Sequence, residues 1–249
     1  MVFSRIALAL GLGLVGATAA QASIVSFTNG TLAGAASVLH DSSPGYAGSN
    51  LCAGHGTCAT ALTYNTGVGK LTVTAEDGPD VDKLALVNHS SFNNAGLGVV
   101  TGYKNHHNNK FTIADGNYSL SSKKETLTLT FDSKVSLSQL FFFPDDRTKY
   151  ALTHELDKFD GFTLSVDGGA FIEYSFGSNG GQPVTFGTPL VGNSFTFGYA
   201  KHKSGEDYYL AGLNVTKVAS PVPEASSVAM LAAGLVAVGG IASRRRKQA

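Results

Sequence analysis

The chain has 249 residues, of which 14% are charged and 10% aromatic, with 30 glycines, two cysteines and no tryptophan. That length holds one substantial core, or two small ones at most. The charge-poor mixture, rich in glycine, serine and threonine, suits a β-rich extracellular domain better than a helical cytosolic enzyme. The formal net charge of zero hides an uneven distribution. With Arg5, Arg244, Arg245, Arg246, Lys247 and Glu224 set aside, 13 bases face 17 acids, so the middle carries about −4. A mildly acidic domain has no electrostatic footprint for nucleic acid, which removes DNA and RNA as partners.

Residues 1–22 have the three parts of a secretory signal. A short n-region carries Arg5, an apolar run follows from Ile6 to Ala17, and Ala20-Gln21-Ala22 forms an A-x-A cleavage pattern. The pattern predicts Ser23 as the first mature residue. A buried helix explains the segment poorly, because Gly11, Gly13 and Gly16 weaken a helix and no polar face is present.

Residues 29–69 are rich in glycine, alanine and serine with little alternation, and are expected to form a long decorated loop or an extra edge hairpin. Within them lie the only cysteines, Cys52 and Cys58. An even pair in an exported chain reads as a disulfide. The sharper alternative joins His55 to the two thiols as a metal or redox site, but a fourth ligand and a C-x-x-C spacing are both missing.

Further on, short runs alternate apolar with polar residues: 71–75, Leu127-Thr128-Leu129-Thr130-Phe131, and Phe162-Thr163-Leu164-Ser165-Val166. Period-two alternation predicts strands with one face buried. Asp167-Gly168-Gly169 joins the last run to Phe171-Ile172-Glu173-Tyr174 as a hairpin. Residues 135–143, 194–199 and 209–215 are further strand candidates. Helical periodicity is not sustained anywhere in the middle. The expected fold is all-β, an antiparallel β-sandwich or jelly roll, flanked by the signal peptide and a C-terminal transmembrane helix.

Chemistry-bearing residues in the middle are weakly arranged. His106-His107 sits between Lys104 and Lys110 and reads as a solvated loop. Thr153-His154-Glu155-Leu156-Asp157 begins like a zinc-protease helix, but Lys158 stands where the second histidine belongs. Asp77, Asp80 and Asp82, with Asp115 and Glu125, offer hard oxygens for calcium, without the spacing of any calcium loop; the plainer reading is solvated turn acids. Glu155 and Asp157, or Asp145 and Asp146, are the acids a polysaccharide hydrolase would need, but no nucleophile or phosphate-cradling motif accompanies them, so the middle is expected not to be an enzyme and to need no cofactor. In Phe141-Phe142-Phe143 the outer two rings share one face and the central ring takes the other. This makes either a sugar-stacking platform or a strand buried on both sides.

The C-terminus carries a second address. Ala225 to Ser243 is an uncharged stretch of about 19 residues, long enough to cross a hydrocarbon layer of about 30 Å as a helix. It ends at Arg244-Arg245-Arg246-Lys247, a cluster that stays on the cytoplasmic side. Val222-Pro223-Glu224 stands immediately before it. Proline–glutamate, a glycine- and alanine-rich apolar stretch and a terminal arginine cluster, in that order, resemble the PEP-CTERM sorting domain; Ala225 departs from the second proline usual there. The resemblance implies a Gram-negative, exopolysaccharide-making host and an exosortase that cuts near the motif and passes the protein to the cell surface or its matrix. It also implies extracellular polysaccharide or surface proteins as partners. Gly96 to Val99, Asp115-Gly116-Asn117, Glu125 to Phe131 and Tyr209 to Val215 likewise resemble, more loosely, a β-sandwich domain frequent in that family. The expected organisation is a signal peptide at 1–22, an exported domain at 23–219 and a sorting segment at 220–249. The alternatives are a secreted hydrolase and an uncleaved tail-anchored protein.

Overall fold

The computed structural model describes residues 22–28, 36–37, 40–41, 56–78, 83–90, 96–104, 111–113, 119–121, 124–144, 161–176, 183–200 and 207–219, with Ala229, Ala232 and Ala233 beyond them. The chain divides into two compact units, residues 21–218 and the two terminal segments 1–20 and 219–249. The described residues of the first unit are all-β. In chain order its strands are β1 (Ala22–Ser26), β2 (Ala36–Ser37), β3 (His40–Asp41), β4 (Gly56–Ala59), β5 (Ala61–Thr66), β6 (Gly69–Asp77), β7 (Lys83–Ser90), β8 (Gly96–Lys104), β9 (Phe111–Ile113), β10 (Glu125–Pro144), β11 (Gly161–Val166), β12 (Ile172–Ser175), β13 (Val184–Tyr199) and β14 (Tyr208–Lys217). All pairings are antiparallel except that of β1 with β2.

Two long strands organise the unit. β10 and β13 pair with each other from Thr126↔Gly198 to Leu140↔Val184. The first half of β10 has β6 on its other edge, from Glu125↔Asp77 to Phe131↔Leu71, while its second half has β14, from Val135↔Lys217 to Pro144↔Tyr208. The exchange of neighbours falls at residues 131–134, where the β10–β13 register also shifts. The alternating runs stop at Phe131 and resume at Val135, yet the chain passes through Asp132, Ser133 and Lys134 as one strand. Asp132 Oδ2 accepts the backbone N–H of Lys70 at 3.0 Å, satisfying a donor where the ladder parts.

A second register shift, between Leu137 and Gln139, decides which phenylalanine enters the core. Leu127, Leu129, Phe131, Val135 and Leu137 are buried in odd-numbered sequence; after the bulge the buried residues are Leu140 and Phe142. One extra residue flips every later side chain to the other face. Phe142 is thus the centre of an aromatic cluster, with ring centroids 4.7 Å from Phe162, 5.0 Å from Phe176 and 5.3 Å from Tyr208. Phe141 and Phe143 are part-buried on the other side, so the triplet is not an exposed platform.

Of the long decorated loop or extra edge hairpin expected over residues 29–69, the loop is corrected by the fold over the described residues 56–69. β5 forms a hairpin with β6 through Gly67-Val68, and Leu62, Tyr64 and Val68 are core residues. The branch of that expectation that names a hairpin describes β5. The turn expected at Asp167-Gly168 is present: both residues have positive φ, 50° and 72°, and Gly169 N–H donates to Val166 O at 2.9 Å. At Gly96, φ is +116°, and a Cβ would lie 2.3 Å from Leu210 O, so only glycine lets β8 reach β14 there.

Among the described residues no helix is long and apolar enough to cross a membrane. Of the expected C-terminal helix, Ala229, Ala232 and Ala233 are described, and these are helical and exposed.

Candidate functional site

The strands β6, β10 and β13 turn one face to the core and the other outward, whereas β11 is buried on both faces from Gly161 to Ser165. Inward go Leu71, Val73, Leu127, Leu129, Phe195, Phe197, Phe162 and Leu164, all buried. The alternate positions form rows of hydroxyls, and the registers place them side by side. One row is Thr74–Thr128–Thr196–Ser165. The next is Glu76–Thr126–Gly198–Thr163–Glu173, and a third is Thr72–Thr130–Ser194. Neighbouring strands are about 4.8 Å apart and successive outward residues about 6.7 Å apart, so the hydroxyls make a close lattice.

These side chains hold one another in place. Thr128 Oγ1 and Thr196 Oγ1 are 3.0 Å apart. Ser165 donates to Gly169 O at 2.6 Å and Thr163 to Tyr199 O at 3.4 Å, and both residues are buried. The outer edge of the face carries an exposed aromatic. Phe171 is 49% exposed, and its Cε1 lies 3.7 Å from where a Cβ on Gly198 would stand, beside Thr126 Cγ2 and Thr163 Oγ1. Gly198 is on β13, two strands from the Phe171 hairpin arm. The side chain therefore extends across the sheet as far as Gly198. Beneath Gly198, its carbonyl accepts the hydroxyl of Tyr208 at 3.0 Å.

At the end of the same strands lies an acidic corner on the inner face. Asp77 and Glu125 are directly opposite in the β6–β10 ladder and only 8% and 1% exposed. Neither is the solvated turn acid that its sequence context suggests. Glu125 Oε2 accepts from Ser121 N–H at 2.9 Å and from Ser121 Oγ at 3.3 Å. Burial, and secondarily the charge of Glu125, push the Tyr208 hydroxyl well above its ordinary pKa; burial alone does the same to Tyr64. Asp80, Asp82 and Asp115 lie outside the described residues. No group of three or more His, Cys, Asp or Glu that could hold a metal occurs among the described residues.

The remaining predicted positions are divided. Ala22 and Ser23 begin β1, where Ala22 faces Thr216 and Ser23 faces Val215 on β14. Ala20, Val222, Pro223, Glu224 and Arg244 to Lys247 lie outside the described residues, as do His106, His107, Asp145, Asp146, His154, Glu155 and Asp157. Cys58 is disulfide-bonded, and the chain's other cysteine, Cys52, lies outside the described residues. A disulfide sulfur has no proton to donate, so the 3.5 Å approach of Cys58 Sγ to Asn88 Oδ1 is a packing contact. Phe171 is the residue that sequence reasoning missed: it read as a hairpin residue, and its relation to Gly198 spans two strands and 27 positions. Compared with known protein families and with curated proteins, the chain matches none.

Proposed function

We propose that this is an exported surface or matrix protein, sorted by an exosortase, whose β domain is a non-catalytic sandwich or jelly roll that holds polysaccharide or neighbouring proteins. The observation that carries the reading is the order of three signals at one end: Val222-Pro223-Glu224, the uncharged stretch from Ala225 to Ser243, then Arg244 to Lys247. The exporting signal at 1–22 agrees with it, because export leaves only the basic tail on the cytoplasmic side. The sheet supplies support of another kind. β1 starts where β14 ends, on hydrogen-bonded neighbours, so the domain's two ends leave it side by side. The exchange of β10 between two sets of neighbours is the arrangement by which a chain passes from one layer of a sandwich to the other.

Deleting Val222 to Glu224 tests the reading in the native host. The expected result is retention of the protein in the membrane fraction, with the wild type in the surface or matrix fraction. Identical fractionation of the two would count against sorting.

A further inference from the structure

We propose that the hydroxyl face of β6, β10 and β13, with Phe171 as its platform, binds an uncharged polysaccharide chain. The inference rests on the non-catalytic binding reading above and names its ligand class. Phe171 is the starting point. Its Cε1 reaches the position of Gly198 while the residue stays 49% exposed, so the ring rests against the sheet at one edge and keeps apolar surface open to solvent. Pyranose rings have a C–H face that stacks on such a surface and a rim of hydroxyls that both donate and accept. The rows alongside match that rim, since threonine and serine hydroxyls also do both. The mutual contact of Thr128 and Thr196 fixes these two hydroxyls before any ligand arrives, which lowers the ordering cost of binding.

Charge selects among polymers. Across the three rows the only charged side chains are Glu76 and Glu173, at the two ends of one row, and no cation stands among them. The domain around them carries about −4. A uronate or sulfated chain would meet like charge at both ends of that row. An uncharged chain meets hydroxyls and a ring.

The experiment titrates the full-length protein with neutral hexasaccharides of β-1,4-, α-1,4- and β-1,3-linked glucose, and with an oligoguluronate, by calorimetry. Binding of at least one neutral oligomer, and weaker or no binding of the uronate, is expected. Phe171→Ala should weaken the neutral ligand about three- to tenfold, the range that aromatic stacking supplies. Thr128→Val with Thr196→Val keeps shape and strand preference while removing two hydroxyls, and should also weaken it; thermal melting confirms that both variants fold. Failure of every neutral oligomer to bind, tighter binding of the uronate, or affinity unchanged in both variants would each overturn the proposal. So would concentration-dependent dimerisation abolished by Phe171→Ala, which would assign the face to a second copy of the chain. None of these results touches C-terminal processing, so the sorting reading stands or falls separately.

Discussion

Tyr208 shows how much one side chain ties together. Its ring packs 5.3 Å from Phe142 and 5.4 Å from Phe176, and its hydroxyl caps the carbonyl of Gly198, the residue that Phe171 Cε1 approaches. Burial keeps the phenol neutral beyond its ordinary pKa. The sign of the pH dependence follows: the folded chain holds the proton while the unfolded chain releases it near pH 10, so the unfolded state gains above that pH. Stability should be flat below about pH 10 on this account and fall above it by about 1.4 kcal/mol per pH unit for each such tyrosine. Tyr208→Phe should cost about 1 kcal/mol near neutral pH, the worth of one hydrogen bond. Its alkaline decline should be shallower than that of the wild type, with Tyr64 still contributing. Urea titrations of the two proteins at pH 7 and pH 11 measure both effects; parallel declines would contradict the assignment. None of this is legible in the sequence, where Tyr208-Tyr209 is a doublet at the start of a strand.

At the scale of elements, alternation found β6, both halves of β10, β11, the end of β13 and β14 and divided inward from outward residues, but it did not find β1, β4, β5 or β7. Leu127, Leu129 and Phe131 face in, and Thr126, Thr128 and Thr130 face out, as the run itself implies. The hairpin at Asp167-Gly168 was equally readable, because few residue pairs accept positive φ at two successive positions. Asp167 adds a reason specific to this fold, accepting the N–H groups of Asn193 and Ser194 at 2.8 Å each and so pinning the turn to β13. What alternation cannot reveal is a bulge. The shift at Leu137–Gln139 depends on two partner strands, and it alone sends Phe142 inward. Phe142→Ala should therefore destabilise the domain by about 3–5 kcal/mol, as core phenylalanines do. Phe141→Ala, one position away, should cost clearly less. Equal losses in denaturant titrations would show that the bulge does not set the burial of this segment.

For the whole molecule, the informative pairing is that of the first strand with the last. β1 carries Val25 and, just beyond its end, Phe27 into the core, both buried, and Phe27 N–H donates to Ala211 O at 2.9 Å. Ser23, the expected first mature residue, already faces Val215 in the ladder and lies against Gly67, where a Cβ would come within 2.8 Å of its hydroxyl. A mature chain starting at Ser23 thus keeps four of the five β1–β14 pairs and loses only that of Ala22. Composition and alternation made the all-β class legible. The outward face was written in the same letters as the strands, so its role had to wait for Gly198 and Phe171 to be brought together. The central claim is that both termini are processed around an intact β domain, and intact-mass spectrometry of the protein recovered from the cell surface or matrix tests it most directly. The account predicts a chain that begins at Ser23 and ends near Pro223-Glu224, without Arg244 to Lys247. A surface form that retains the arginine cluster would contradict it.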